Sequence, residues 1–175
     1  MQIKWYLWVV VIVGFIISLY CVEVGPWGAT QVGKYNEGYG TFDMKKYSVE
    51  DVRRVLAKMQ PGGFIQSYRY YICDSIFLLF FGALQIMISM ALYHRGISSG
   101  IVVILGILAI AVPIFRGVFD MIENGLLCYT LKTYPNMNET IVRISSFVTQ
   151  CKLMCIRIWS LLVIVGIVIR FFKRK

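Results

Sequence analysis

The stretch that decides the fold, residues 100–131, is GIVVILGILAIAVPIFRGVFDMIENGLLCYTL. Its first half holds no charged residue, and the whole stretch exceeds the roughly 20 residues of helix that cross the hydrocarbon core of a bilayer. Its second half carries Arg116, Asp120 and Glu123. Ionisable side chains are costly in hydrocarbon and usually face the interior of a helical bundle. The stretch therefore predicts a membrane-spanning helix with one polar face.

Three other stretches are long and apolar enough for the same role, at about residues 5–22, 69–93 and 145–172. The 175-residue chain is 58% hydrophobic with mean hydropathy +0.70, above the apolar share of an ordinary soluble domain. Continuous apolar runs are also unlike the alternating segments of membrane β-strands. We therefore predict an all-α, four-transmembrane-helix bundle that forms a single membrane domain over residues 1–175.

The first apolar stretch follows Lys4 and ends without a small-residue cleavage motif, which indicates an uncleaved membrane anchor. A cleaved signal peptide is the alternative, because Gly28 and Ala29 lie a short way downstream.

The formal charge of +9 has its origin in basic residues that mostly flank the spans. Because no nucleic-acid-binding motif accompanies them, we expect the lipid bilayer, and no nucleic acid, as their partner. Arg170 and residues 173–175, which are Lys-Arg-Lys, predict a cytoplasmic C-terminus. Four spans place the N-terminus on the same side, so we expect a multi-pass protein of the cell membrane with both termini in the cytoplasm.

Residues 23–68 form the one extensive polar segment, between the first and second spans. Ser48 begins a capped helical pattern, and Pro61 with its two following glycines ends it. Apolar residues recur at helical spacing between them, which predicts an amphipathic helix at about residues 49–59 that lies on the bilayer surface or covers the bundle. A packing cover without a ligand is the alternative to a functional gate.

Polar residues inside three of the spans are predicted to meet near the end of the bundle that carries this long loop. At about 1.5 Å of rise per residue, Asp74, Asp120 and Lys152 reach similar depths in antiparallel helices. Four residues of the third span also share one face, because they are spaced 4, 3 and 1 apart. The candidate ligand-binding residues are Asp74, Arg116, Asp120, Glu123, Asn124 and Lys152.

These residues have a second, purely structural interpretation. Arg116 with Asp120, and Asp74 with Lys152, could be buried ion pairs that fix the register of the helices. The three acids outnumber the two bases, however, so one carboxyl group lacks a cationic partner if all are ionised. Such a crowded carboxyl group is expected to hold a proton, which favours a working site.

The segment from Phe119 to Asn124 resembles the D-x-x-E-N signature of a group of small four-helix bacterial membrane proteins of unassigned function. Similar features are the loop helix before Pro61, the aromatic pair Tyr68 and Tyr71, Asp74, and residues 149–152. The resemblance covers most of the chain. It implies a shared polar site but no particular activity.

We predict neither a metal nor a cofactor. The single histidine, His94, lies at the opposite end of the spans from the acids, which excludes zinc or haem sites built on several histidines. A Ca²⁺ or Mg²⁺ site is disfavoured by the neighbouring Arg116 and Lys152. The cysteines include no Cys-x-x-Cys pair and are expected to pack between helices as thiols; a disulfide near the loop-side ends of the spans is the alternative if that side is oxidising.

Three functions are compatible with this pattern, and whether the protein is an enzyme is left open. The leading hypothesis is that the cluster binds or moves a small molecule, a lipid head group or a proton. It predicts a water-accessible cavity at Asp120 and Glu123. The alternatives are a membrane-embedded lipid-modifying enzyme, with a cavity open to lipid, and a structural or assembly subunit with a dry cluster. A homo-oligomer or a membrane partner subunit is a candidate partner in each case.

Overall fold

The computed structural model describes residues 3–93 and 100–172, and within these ranges helices are the only regular secondary structure. Six helices follow one another: α1 Trp5–Glu23, α2 Ala29–Tyr35, α3 Val49–Ala57, α4 Gly63–Tyr93, α5 Gly100–Thr133 and α6 Glu139–Phe172. Four of them, α1, α4, α5 and α6, are long and apolar enough to cross a membrane. The predicted all-α bundle of four spans with a short helix in the first loop is confirmed.

Helices α4, α5 and α6 form the body of the bundle, and α5 packs against both of the others. In the described ranges α1 packs on α4 but not on α5 or α6. Gly14 permits this contact, because a Cβ there would lie 2.2 Å from the ring of Phe80. Phe15 fits between Phe77 and Phe81, with ring centroids 5.8 and 5.6 Å away. Most of α1 therefore faces lipid.

The segment between α1 and α4, residues 24–62, forms a lid over one end of the bundle. Its apolar side chains, among them Phe42, Val52 and Leu56, join the buried ends of α4, α5 and α6 in one core. Ser48 caps α3 by accepting a hydrogen bond from the backbone N–H of Asp51 at 3.1 Å. The amphipathic helix thus covers the bundle, because its apolar face is buried against protein.

Several boundaries differ from those expected from sequence. α3 ends at Ala57 rather than near residue 59, and α4 begins at Gly63 rather than 69. Helix α6 begins at Glu139 rather than 145, where the side chain of Asn138 accepts a hydrogen bond from the Thr140 N–H at 2.9 Å. Helices α4 and α6 begin before their apolar spans because their first turns pack against the lid instead of lipid. Polar side chains are tolerated in these turns for the same reason. Residues 94–99, which include His94, and the basic residues 173–175 lie outside the described residues.

Candidate functional site

Lys152 of α6 is the centre of a polar cluster beneath the lid. Its ammonium nitrogen, Nζ, lies 2.6 Å from Glu123 Oε2 and 3.1 Å from Asp120 Oδ1, both on α5. It also lies 4.0 Å from Oδ2 of Asp43, a lid residue. One cation thus holds carboxyl groups from two different parts of the chain around itself.

Arg116 is the second cation of the cluster and lies one helical turn deeper than Asp120. Its Nη2 is 2.7 Å from Asp120 Oδ2, and its Nη1 donates to Gln85 Oε1 at 3.2 Å. The guanidinium carbon lies 4.4 Å from the ring centroid of Phe81, a cation–π distance. Asp120 therefore bridges both cations, one with each carboxylate oxygen.

Two other carboxyl groups in the cluster have neutral hydrogen-bond donors instead. The amide nitrogen of Asn124 donates to Asp74 Oδ2 at 2.8 Å. The hydroxyl of Tyr70 donates to Asp43 Oδ2 at 2.6 Å, while Asp43 Oδ1 has no hydrogen-bond partner. In the described residues Asp74 forms no ion pair, whereas Asp43 also has the Lys152 ammonium at 4.0 Å.

Hydroxyl groups of α6 connect the cluster to the lid. Thr149 hydrogen bonds to Glu123, and one turn away Ser145 Oγ accepts a hydrogen bond from the hydroxyl of Tyr47 at 2.7 Å. The backbone N–H of Tyr47 donates to Ser146 Oγ at 3.1 Å. Burial raises the pKa of Tyr47 to about 12, so this anchor of the lid is neutral at physiological pH.

The six residues selected from sequence all lie in this one cluster, each 0–5% exposed. The ion pair of Arg116 with Asp120 forms as the structural interpretation supposed. The supposed pair of Asp74 with Lys152 does not form, because Lys152 is held by Glu123 and Asp120 and Asp74 by Asn124.

Sequence reasoning missed Asp43, Tyr70 and Gln85. Asp43 lies in a polar loop among other charged residues, where nothing in the sequence marks it as buried. Tyr70 is one of many tyrosines. Gln85 could have been found, because a lone amide in an apolar span is costly in hydrocarbon and, like a charge, is expected to face a polar partner in the bundle.

The cluster is closed to solvent. The side chains of Glu123, Thr149 and Ser145 have no accessible surface, so no water-sized space adjoins them. The predicted water-accessible cavity at Asp120 and Glu123 is therefore wrong for this conformation, and the lid is the reason. Among the described residues no group of three His, Cys, Asp or Glu side chains is placed to hold a metal ion.

Four helices able to cross a membrane, with a polar cluster enclosed at one end, are the features of a multi-pass integral membrane protein. No family model matches the chain, and neither a curated protein nor a solved structure matches it. The resemblance to the D-x-x-E-N proteins stays a prediction.

Proposed function

We propose that the protein is a membrane protein that binds and releases protons at the buried cluster, on the lid side of the bilayer. The observation that carries this proposal is a count of charges. Four carboxyl groups, those of Asp43, Asp74, Asp120 and Glu123, surround two cations in a space that is closed to water.

The contacts favour Asp74 as the carboxyl group that binds the proton. Asp120 and Glu123 make ion pairs at 2.6–3.1 Å with Arg116 and Lys152, so these four residues form a neutral set of two anions and two cations. Asp43, 4.0 Å from Lys152 Nζ, and Asp74 bring the total to four carboxyl groups around two cations, and Asp74 is the one that forms no ion pair in the described residues. A buried charge without a partner costs several kcal/mol, roughly, and a carboxyl group avoids that cost by binding a proton.

A proton is the ligand favoured here because the closed cluster has no room for a larger one. A lipid head group or a small molecule would need a cavity beside Glu123, whose side chain is fully buried. A proton needs only a path of polar atoms to the surface.

The path is expected to run through the part of the lid that carries Asp43. Residues 36–48 connect α2 to α3 without regular helix, and such a segment opens locally more easily than the helices around it. Loss of the proton from Asp74 would add a negative charge beside Asp43 and Asp120 and so favour release of this segment. Proton binding would thus be coupled to lid closure.

The lid side is proposed to face away from the cytoplasm. Arg170 lies near the end of α6 that is opposite the lid, and basic residues favour the cytoplasmic side. Labelling of lid lysines on intact cells with a membrane-impermeant amine reagent tests this orientation.

Infrared spectroscopy across a pH titration tests the proton site directly. The wild-type protein is expected to show the carbonyl stretch of a protonated carboxyl group at neutral pH, and Asp74→Asn is expected to remove it. Glu139→Gln is the matched control, because Glu139 is an exposed carboxylate paired with Arg53 at 2.6 Å. Absence of any protonated carboxyl band at neutral pH would refute the proposal. The cluster would then have a purely structural role, the second candidate function, which its ion pairs and its exclusion of water favour.

A further inference from the structure

An apolar groove of about 640 Å³ lies between α4 and α5, apart from the polar cluster. All of its lining residues are apolar and belong to these two helices. Gly82 and Gly117 widen it, since a Cβ at Gly82 would meet no atom within 4 Å and one at Gly117 only Leu78, at 3.4 Å. The groove is therefore open space along the lipid-facing surface.

Helix α1 supplies a scale of depth for this groove. Its 19 residues span about 28 Å, close to the hydrocarbon thickness of roughly 30 Å. The contacts of Phe15 with Phe77 and Phe81 set Glu23, at the lid-side end of α1, level with about residue 71 of α4. The groove residues of α4, Leu78 to Ile86, thus lie roughly 10 to 22 Å below that boundary. The groove reaches from the lid-side leaflet to beyond the midplane.

A basic residue follows the groove on its lid side. Ile122, Gly125, Tyr129 and Lys132 are spaced 3 or 4 apart and are exposed, so they form one stripe on α5. The Cα atom of Lys132 lies about 15 Å from that of Ile122, towards the lid. Its side chain tilts back towards the start of α5, and therefore towards the groove, and its aliphatic part can follow the apolar surface. Its ammonium is therefore expected at the depth of lipid phosphates. No described carboxylate forms an ion pair with it.

We infer that the groove binds one acyl chain of a phospholipid from the lid-side leaflet, with an anionic head group beside Lys132. A phospholipid carries both parts of the complementary pattern, an apolar chain and a negative phosphate, at the required separation. A transmembrane helix from a partner fits the groove less well. It is about 10 Å wide and could enter only if α4 and α5 moved apart. The hydroxyl of Tyr68 on α4 donates to the Cys128 carbonyl of α5 at 3.3 Å and ties the two helices together on the lid side of the groove.

The test is reconstitution into vesicles of phosphatidylglycerol and phosphatidylcholine, extraction in a mild detergent, and native mass spectrometry of retained phospholipid. The wild-type protein is expected to retain one phospholipid, enriched in phosphatidylglycerol. Gly82→Leu places an apolar side chain in the groove, where its Cβ meets no atom within 4 Å, and is expected to lower retention several-fold. Gly100→Leu is the matched control, since its Cβ also meets open space but lies at the far end of α5.

Lys132→Gln distinguishes recognition of the head group from binding of the acyl chain. Retention of phospholipid should persist in this variant, while the enrichment in phosphatidylglycerol is lost. Equal retention by the wild type and Gly82→Leu would overturn the inference. A wild-type dimer that Gly82→Leu dissociates would overturn it as well, because the occupant would then be a second copy of the chain.

Discussion

Replacing each buried acid by its amide distinguishes an ionised carboxylate from a protonated one. Asp120→Asn removes the negative charge that bridges Arg116, at 2.7 Å, and Lys152, at 3.1 Å. Lys152 keeps Glu123 at 2.6 Å, but Arg116 loses its one carboxylate partner among the described residues. Breaking a buried ion pair on one side costs about 3–5 kcal/mol, because the remaining charge stays buried without compensation.

Asp74→Asn is expected to cost much less. If Asp74 is protonated, the variant replaces a neutral group by a neutral group of the same shape. The amide oxygen introduced at this position can still accept a hydrogen bond from Asn124 Nδ2, which lies 2.8 Å from Asp74 Oδ2 in the wild type. The loss is then about 1 kcal/mol or less, the scale of one hydrogen bond. The two variants should differ by about 3 kcal/mol, a ratio of more than one hundred in the unfolding equilibrium.

The assay is equilibrium unfolding in detergent micelles against a denaturant series, followed by circular dichroism. Glu139→Gln is the control for an exposed acid, whose ion pair with Arg53 at 2.6 Å should contribute about 1 kcal/mol or less. Asp120→Asn combined with Arg116→Gln should destabilise the protein by less than the sum of the two single changes. The double variant removes both members of the ion pair, so neither charge is left buried without its partner. A loss of stability in Asp74→Asn as large as that in Asp120→Asn would refute the assignment of a proton to Asp74.

Two further predictions concern the lid and its pH dependence. Tyr47→Phe removes the hydrogen bond to Ser145 and should destabilise the lid by about 1 kcal/mol, measured as faster backbone hydrogen exchange in residues 36–48. Burial raises the pKa of Tyr47 from 10.0 to about 12, so the stabilisation of the lid by Tyr47 is complete below pH 10 and is lost as the pH rises towards 12. Equal sensitivity of the lid to alkali in the wild type and in Tyr47→Phe would contradict this. Hydrogen bonds from the backbone and side chain of Ser48 lower the pKa of Asp51 below 3.8, so its contribution to α3 is present above that pH and is lost as the pH falls through the lowered value. Asp51→Asn should abolish this acid sensitivity, which the helix signal of the lid measured between neutral and strongly acidic pH would show.

The charges of the cluster are divided between two places. The cations and the acids of α5 are one turn apart or face each other across the α5–α6 contact, so they neutralise each other locally. Asp74 is held by an amide and Asp43 by a phenol, and neither donor brings a positive charge. The excess of acid is therefore confined to α4 and the lid, where opening of residues 36–48 would first admit water.

The amino-acid sequence determined the spans and most of the cluster because both follow from simple physics. Runs of about 20 apolar residues have few alternatives to helix in a bilayer, since every backbone N–H and C=O must be satisfied within the segment. Charged residues in such runs must face one another, so Arg116, Asp120, Glu123 and Lys152 could be placed together from spacing and depth alone.

Only the tertiary structure decided which charges pair and how the cluster is closed. The choice of Glu123 and Asp120, rather than Asp74, as partners of Lys152 depends on the rotation of α4, which helical periodicity does not fix to within one side chain. Asp43 reaches the cluster because apolar lid residues such as Phe42 and Tyr47 pack on either side of it. No local pattern encodes that burial. It results from long-range packing of a polar loop onto the end of the bundle, where the hydrophobic contacts are made by residues far apart in sequence.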